Sequence, residues 1–170
     1  ANALDYLLDA CKSIDPQVAL LLVGDGPNKA RLIERVQQEN LQNVHFMPAI
    51  GKMQIPAFLN ACDALYIGWN NLPIYRFGIC PNKLFDYMLA AKPIIHSVTA
   101  GNDLVRDADC GYSVAAEDVS AITTAINQVS KLAQLERAEL GARGKTYVLQ
   151  QHDYAILAQK FHASVFDTAK

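Results

Sequence analysis

Short apolar runs alternate along this chain with longer segments in which apolar residues recur at helical spacing. The apolar runs have the length and composition of buried β-strands. Five strands are predicted, at Val18–Val23, Val44–Met47, Ala64–Gly68, Pro93–Val98 and Tyr112–Val114. Strands that alternate with helices are typical of βαβ units. The pattern therefore predicts an α/β fold in which a parallel sheet is covered by helices on both faces.

The helical segments are marked by proline and glycine. Helices are predicted over 27–40 and 81–91, each with proline at its first position, where the missing N–H has little cost. After Ala116 the strands stop, and about three C-terminal helical segments follow. We predict that these are interrupted near Gly141–Gly144 and again at His152–Tyr154.

Length and composition indicate one globular domain over residues 1–170. Hydrophobic residues make up 51% of the chain and charged residues 19%, which is far from a disordered composition. The net charge is -2 and no basic block is present, so nucleic acid is not expected as a partner. The four cysteines are widely spaced and lack metal-ligand spacing, which favours a reducing compartment.

The predicted sheet is preceded by a helical pattern, whereas a doubly wound unit normally opens on a strand. We therefore expect these residues to be a fragment, with at least one strand and a partner domain upstream.

The longest apolar run, Val18–Gly24, is far shorter than the roughly 20 residues that a membrane-spanning helix needs.

The turn Gly24-Asp25-Gly26-Pro27 follows a predicted buried strand, at the edge where open α/β sheets bind ligands. The motif is not a dinucleotide fingerprint, because Lys29 falls near the position of the third glycine. The alternative is a tight turn in which Gly26 caps the next helix. A second glycine motif, GARGKT at 141–146, lacks the first glycine of a phosphate loop and follows a helix, so it is rejected.

The stretch from Pro81 to Asp86 has the properties of an anion site. With Pro81 as the first helical residue, the backbone N–H groups of Asn82, Lys83 and Leu84 are free, and the helix dipole favours an anion there. Lys83 adds a positive charge, and Asp86 can accept hydrogen bonds from a ribose diol. The alternative is a Lys83–Asp86 surface pair worth only about 0.2–0.5 kcal/mol.

Three residues near this stretch have two interpretations each. Gly78 either allows the close approach of a ligand or is needed only because the loop has a positive φ there. Arg76 either contacts a phosphate or points to water. His96 ends a predicted strand and either contacts a ligand or is a hydrogen-bonded structural residue. No Ser/His/Asp or Cys/His set converges on this edge, so no catalytic residue is assigned.

Four stretches resemble the C-terminal half of the GT-B retaining glycosyltransferases of family 4. In order, they are LLLVGDGP, NVHFMPAIGKMQIPAFLNACDALYIG, FGICPNKLFDYMLAAKPII and AGNDLVRDADCG, of which the PNKLFDYM block is the most specific. The resemblance is closest to the WbuB-like subgroup of bacterial fucosamine transferases. It implies a Rossmann-like domain that forms one half of a GT-B fold and binds a nucleotide-sugar, with UDP as the nucleotide and neither cofactor nor metal required.

The resemblance also implies roles for individual residues. The family has two acids eight residues apart. The second acid, which binds the ribose hydroxyls, corresponds to Asp86 in this sequence. The first acid, which contacts the transferred sugar, corresponds to Gly78. The diphosphate is expected against the backbone of Pro81–Leu84. The base is expected near Met47–Ile50, beside the Gly24–Pro27 turn. The glycine at position 78 is a departure from the family pattern, and it leaves the sugar without its acidic contact.

The function implied by the resemblance is donor binding in a retaining UDP-sugar-dependent, hexosyl-type glycosyltransferase. We expect this enzyme to act in cytoplasmic O-antigen or capsular polysaccharide synthesis, at the inner face of the membrane, with a glycan or lipid-linked acceptor held by the missing domain. The fragment alone is expected to be inactive. Two alternatives stay open: a non-catalytic module that binds a nucleotide or protein partner, and an epimerase-like GT-B domain in which His96 is the candidate titratable group.

Overall fold

The computed structural model describes residues 3–167, in which five strands alternate with helices. The strands are β1 (Leu20–Val23), β2 (Val44–Met47), β3 (Leu65–Gly68), β4 (Ile94–Ser97) and β5 (Gly111–Val114). The helices are α1 (Leu4–Cys11), α2 (Lys29–Gln38), α3 (Ile55–Ala61), α4 (Asn82–Leu89), α5 (Leu104–Asp107), α6 (Val119–Lys131), α7 (Gln134–Gln151) and α8 (Tyr154–His162). All five predicted strands are present, at or close to their predicted bounds.

The strands form two parallel sheets. In the first, β1 pairs with β2, and Leu20 lies opposite Val44. In the second, β4 lies between β3 and β5, so that Ile94 is opposite Leu65 on one side and Gly111 on the other. Within residues 3–167, no hydrogen-bonded ladder joins β1 to β3. The predicted α/β fold class is confirmed. The division of the strands between two sheets was not predicted, because apolar patterning marks strands without specifying their neighbours.

The helices cover both faces of the three-stranded sheet. Alternate residues of a strand point to opposite faces, and β4 is buried at all four positions. Ile95 packs with Tyr66 in a hydrophobic cluster that also contains α1, α2 and α6. Ile94 packs with Ile67 in a second cluster, against α4, α5 and α7. The sheet therefore separates two hydrophobic cores.

Helix α7 is continuous from Gln134 to Gln151, so the predicted interruption at Gly141–Gly144 is wrong. Both glycines are buried within the helix. A Cβ at Gly141 would collide with the backbone carbonyl of Ala91, and one at Gly144 would lie 3.0 Å from the Cβ of Cys110. The glycines let α7 approach the end of α4 closely. In sequence, a glycine that allows such close packing cannot be distinguished from one that interrupts a helix.

Two other helix boundaries differ from prediction. Pro81 is the N-cap of α4 and Pro27 lies outside α2, whose N-cap is Asn28, so neither proline is the first helical residue. The predicted break at His152–Tyr154 is confirmed: Asp153 caps α8 by accepting a hydrogen bond from the Ala155 N–H at 2.9 Å. None of the helices in the described part of the chain is long and apolar enough to cross a membrane.

The packing of α7 gives a test of the fold. Glycine to alanine in a helix normally stabilises by about 1 kcal/mol, but overpacking costs about 1–3 kcal/mol. We expect Gly141→Ala to lower the free energy of unfolding measured in urea, because its methyl group meets the Ala91 carbonyl. The control is Ala142→Gly at the neighbouring exposed position, where only the loss of helix propensity is expected. A more stable Gly141→Ala variant would contradict the close approach of α7.

Candidate functional site

The turn after β1 is tied to the end of β2. Gly24 has a φ of 134°, a conformation that favours glycine, and its N–H donates to the Met47 carbonyl at 3.4 Å. The Lys29 ammonium donates to the carbonyl of Gly24 at 2.7 Å and to that of Met47 at 3.0 Å. The Asp25 carboxylate accepts a hydrogen bond from the Gly26 N–H at 2.8 Å. Lys29 therefore joins the carboxyl ends of the two strands. From sequence alone, Lys29 is notable only because it stands near the position of the third glycine of a dinucleotide fingerprint.

The segment after β2 continues this edge of the sheet. Met47 and Ile50 are both half-buried. The chain then turns at Gly51, whose N–H donates to the Gln54 side-chain oxygen at 3.0 Å. The structure therefore places the Gly24–Pro27 turn and the Met47–Ile50 segment at the same end of the two-stranded sheet.

A second group of candidate residues lies in the connection between β3 and α4. None of residues 69–81, all of which the structure describes, is buried. The connection contains a short 3-10 helix, Pro73–Phe77. The exposed Arg76 guanidinium lies 4.6 Å from the centre of the Phe77 ring, which is a cation–π distance. No ion pair to Arg76 is recorded among residues 3–167.

This connection and the loop after β4 form an open groove of about 450 Å³. Its wall on the β3 side includes the predicted residues Arg76 and Gly78, and Gly78 has a φ of 102° that favours glycine. The other lining residues are Phe77, Ile79, Cys80, Gly101 and Asn102. Sequence reasoning missed Gly101 and Asn102, although they belong to the AGNDLV stretch that carries the family resemblance.

Helix α4 begins next to this groove. The Leu84 N–H donates to the Pro81 carbonyl at 3.0 Å, so it is not free as predicted, and the Leu84 side chain is only 1% exposed. For the N–H groups of Asn82 and Lys83, no acceptor is recorded in the described part of the chain. The side chains of Lys83 and Asp86 are exposed, and the structure describes no ion pair between them. The Lys83–Asp86 surface ion pair, which was the alternative interpretation, is therefore not formed.

His96 is a structural residue. Its ring is 1% exposed, and Nδ1 lies 2.9 Å from the carboxylate of Asp103, which is 8% exposed. The same carboxylate caps α5 by accepting hydrogen bonds from the N–H groups of Val105 and Arg106. Burial by itself raises the pKa of Asp103, but the hydrogen bonds it accepts, first among them that from His96, outweigh burial and lower the pKa below its ordinary value. The interpretation of His96 as a hydrogen-bonded structural residue is confirmed.

All of these segments follow the carboxyl ends of parallel strands, where open α/β sheets bind ligands. Two groups form: the turns after β1 and β2, and the groove with the start of α4. Within the described residues, no hydrogen bond or ion pair between side chains or turns joins one group to the other. The second group combines free N–H groups with the cations Arg76 and Lys83, so its chemistry suits an anion.

Comparison with known proteins identifies the class of protein to which this fold and site belong. The parallel sheets with helices on both faces match the fold of GT-B glycosyltransferase domains. A family model described as "Glycosyl transferases group 1" matches residues 1–131. The chain therefore belongs to the group 1 glycosyltransferase family, which confirms the expected family at that level.

Solved structures show the same fold at low sequence identity. The sucrose-phosphate synthase from Thermosynechococcus elongatus is 22% identical with a TM-score of 0.78, and the match covers 99% of this chain and 43% of that one. Anabaena HepE in complex with UDP-glucose is 20% identical with a TM-score of 0.74, covering 98% and 45%. The C-terminal domain of a group 1 glycosyltransferase (LpcC) from Francisella tularensis is 17% identical with a TM-score of 0.71, covering 90% and 80%.

The chain thus spans less than half the length of the first two of these proteins. The similarity to the isolated LpcC domain covers most of both chains. A search of curated protein sequences finds no match.

The buried His96–Asp103 pair gives a pH-dependent prediction. Asn is as good a helix cap as Asp, so Asp103→Asn removes mainly the charge-assisted hydrogen bond to His96. We expect this variant to lower the free energy of unfolding at pH 7 by about 1.5–3 kcal/mol. Because the pKa of Asp103 is lowered in the folded state, its contribution is present above pH ~4 and is lost as the pH falls through the folded pKa.

Urea unfolding at pH 7 and at acidic pH measures this contribution. The mutant should lose less stability than the wild type on acidification. The control is Asp107→Asn, at an exposed position of the same helix. Equal losses in wild type and Asp103→Asn would show that the pair does not stabilise the fold.

Proposed function

We propose that this chain is the donor-binding half of a retaining UDP-sugar-dependent glycosyltransferase. The observation that carries the proposal is the start of α4, where two free backbone N–H groups, those of Asn82 and Lys83, lie beside an open groove. A helix N-terminus favours an anion because its N–H groups and its dipole both point toward the ligand. The diphosphate of a nucleotide-sugar meets this requirement.

Two cations strengthen the proposed diphosphate site. Lys83 is exposed at the helix start, and Arg76 lines the groove. Neither has an acidic partner among the ion pairs of residues 3–167, so neither charge is neutralised before the ligand arrives. In the whole enzyme, these groups would stabilise the charge that develops on the departing UDP. No catalytic base is assigned.

Asp86 is the proposed contact for the ribose. Its carboxylate is exposed on α4 and forms no recorded ion pair in the described structure, so both oxygens are available. A carboxylate can accept hydrogen bonds from two neighbouring hydroxyl groups. Leu84 and Met88 are buried in the core, which holds the rest of the helix in place. The base is assigned to the Met47–Ile50 segment beside the Gly24–Pro27 turn.

The identity of the nucleotide is supported by the solved relatives. HepE was solved with UDP-glucose and separately with UDP, and its fold matches nearly all of this chain. The family resemblance of the PNKLFDYM block points to the same nucleotide. We therefore assign UDP as the nucleotide of the donor, with no cofactor and no metal.

The proposal extends to the whole enzyme. Its acceptor is a glycan or lipid-linked sugar bound by a further domain, and it transfers a hexosyl-type sugar in O-antigen or capsule synthesis, in the cytoplasm at the inner face of the membrane. The WbuB-like subgroup is the proposed nearest group. The 170 residues alone are expected to transfer nothing, because transfer needs both substrates to be held in one site.

The epimerase alternative loses its main support. An epimerase needs titratable groups in the cleft, and His96 was the candidate. His96 is buried and hydrogen-bonded to Asp103, so it is not exposed to a ligand. No observation specifically favours the non-catalytic module, although a module that binds UDP without turnover would share the same site.

Titration with UDP, GDP and NAD by ligand-detected NMR tests the proposal. We expect selective binding of UDP, and we expect Asp86→Ala to weaken it about tenfold or more, because a hydrogen bond to a charged group contributes about 1.5–3 kcal/mol. The melting temperature should be unchanged, since Asp86 is exposed. The matched control is Asp107→Ala, an exposed aspartate on α5 that should leave UDP binding unchanged.

The other outcomes have separate meanings. Selective binding of GDP or NAD would contradict the assignment of UDP. No binding of any of the three would contradict the proposal that this chain holds the donor. Loss of the cooperative melt in Asp86→Ala would show that Asp86 has a structural role instead.

A further inference from the structure

We propose that Asn102 is a positioning residue that holds the Gly78–Cys80 segment, and through it the start of α4, in the geometry needed for donor binding. The inference rests on the proposed function for its ligand, but its structural part is independent of that ligand. It concerns a residue outside the set that sequence reasoning selected.

The side chain of Asn102 binds both backbone groups of one residue. Its Oδ1 accepts a hydrogen bond from the Ile79 N–H at 2.7 Å, and its Nδ2 donates to the Ile79 carbonyl at 2.9 Å. An amide side chain can pair in this way because it carries a donor and an acceptor side by side, as a peptide group does. The pairing fixes the position and the orientation of the Ile79 backbone.

Two glycines make this contact possible. Gly78 has a φ of 102°, and a Cβ there would lie 3.0 Å from Asn102 Oδ1. A Cβ at Gly101 would collide with the Arg76 carbonyl, and the Gly101 N–H donates to the Tyr75 carbonyl at 2.9 Å. The Arg76 carbonyl leaves no room for a Cβ at Gly101. At position 78, the φ of 102° would strain any residue other than glycine, and Asn102 would have to shift slightly to accept a Cβ.

Asn102 is itself held by the core. The next residue, Asp103, is buried, caps α5 and is hydrogen-bonded to His96 on β4. Both residues of this pair are more than nine-tenths buried. The side chain of Asn102 thus extends from the loop after β4, next to the fixed N-cap of α5, toward the exposed Gly78–Cys80 segment.

The first part of the β3–α4 connection is held by Trp69, which packs against the second hydrophobic cluster and on the Tyr75 ring. The last part is held less firmly, because Ile79 is not buried and its recorded hydrogen bonds in the described structure are those with Asn102. Ile79 lies only three residues ahead of the first residue of α4, where the free N–H groups of Asn82 and Lys83 are located. Without the Asn102 bonds, the segment that leads into α4 loses both hydrogen bonds of its central residue. Binding would then require this segment to be ordered by the ligand, which lowers affinity.

The first experiment needs no ligand. Amide hydrogen exchange at Ile79 is compared in wild type, Asn102→Ala and Asn102→Asp. The alanine variant removes the acceptor, so we expect exchange at Ile79 to be faster by about tenfold. The aspartate variant keeps an acceptor for the Ile79 N–H but places a second carboxylate oxygen opposite the Ile79 carbonyl, so protection at Ile79 should be intermediate between wild type and Asn102→Ala. Equal exchange in wild type and Asn102→Ala would overturn the proposal.

The second experiment measures UDP affinity and the melting temperature of Asn102→Ala. We expect UDP to bind about tenfold more weakly, with the melting temperature unchanged because Asn102 is exposed. The control is Asn60→Ala, an exposed asparagine on α3, which should leave both quantities unchanged. A merely structural role for Asn102 would lower the melting temperature in step with affinity.

The results separate the two proposals. If the wild type binds UDP and Asn102→Ala binds it equally well, the positioning role is overturned while the proposed function stands. If the wild type does not bind UDP, the proposed function fails, and faster exchange at Ile79 in Asn102→Ala still supports the positioning of the segment by Asn102.

Discussion

The burial of β4 on both faces is the constraint on which the rest of the structure depends. Its alternate residues Ile94 and Ile95 enter different hydrophobic clusters, so helices must cover both sides of the sheet. The next two positions of the strand, His96 and Ser97, are also buried. Nδ1 of His96 pairs with Asp103, which in turn starts α5, while no partner is recorded in the described structure for the buried Nε2. The central strand thereby fixes the loop that leads to Asn102.

The candidate donor site is built largely from backbone. Its proposed anion-binding groups are the N–H groups of Asn82 and Lys83, and the groove beside them is lined by Gly78 and Gly101. Glycines are required where two loops approach within contact distance, and an asparagine side chain then takes the place of a backbone partner. The loop that carries Asn102 is fixed by the buried Asp103 carboxylate, whereas Lys83 and Arg76 are exposed and have no acidic partner among the recorded ion pairs of residues 3–167.

In the proposed donor site, the geometry around Gly78 bears on the sugar contact that the family resemblance implies. The family resemblance places an acid at the position of Gly78, where a Cβ would be in tight contact with Asn102 Oδ1 at 3.0 Å and where the φ of 102° favours glycine. The local backbone geometry at this position is therefore suited to glycine. In the proposed donor site, the part of the groove wall formed by Gly78, Gly101 and Asn102 carries no carboxylate.

The apolar pattern determined the five strands, the helices between them and the α/β class, because apolar runs of strand length alternate with segments of helical spacing. Only β4 is buried at all four of its positions. The PNKLFDYM block also directed attention to the start of α4. Only the tertiary structure decided which strands pair, why Gly141 lies inside a continuous helix and which loop Asn102 contacts. These features depend on close approach between segments far apart in sequence, such as α7 with Ala91 and Asn102 with Ile79. Local periodicity carries no information about such distances.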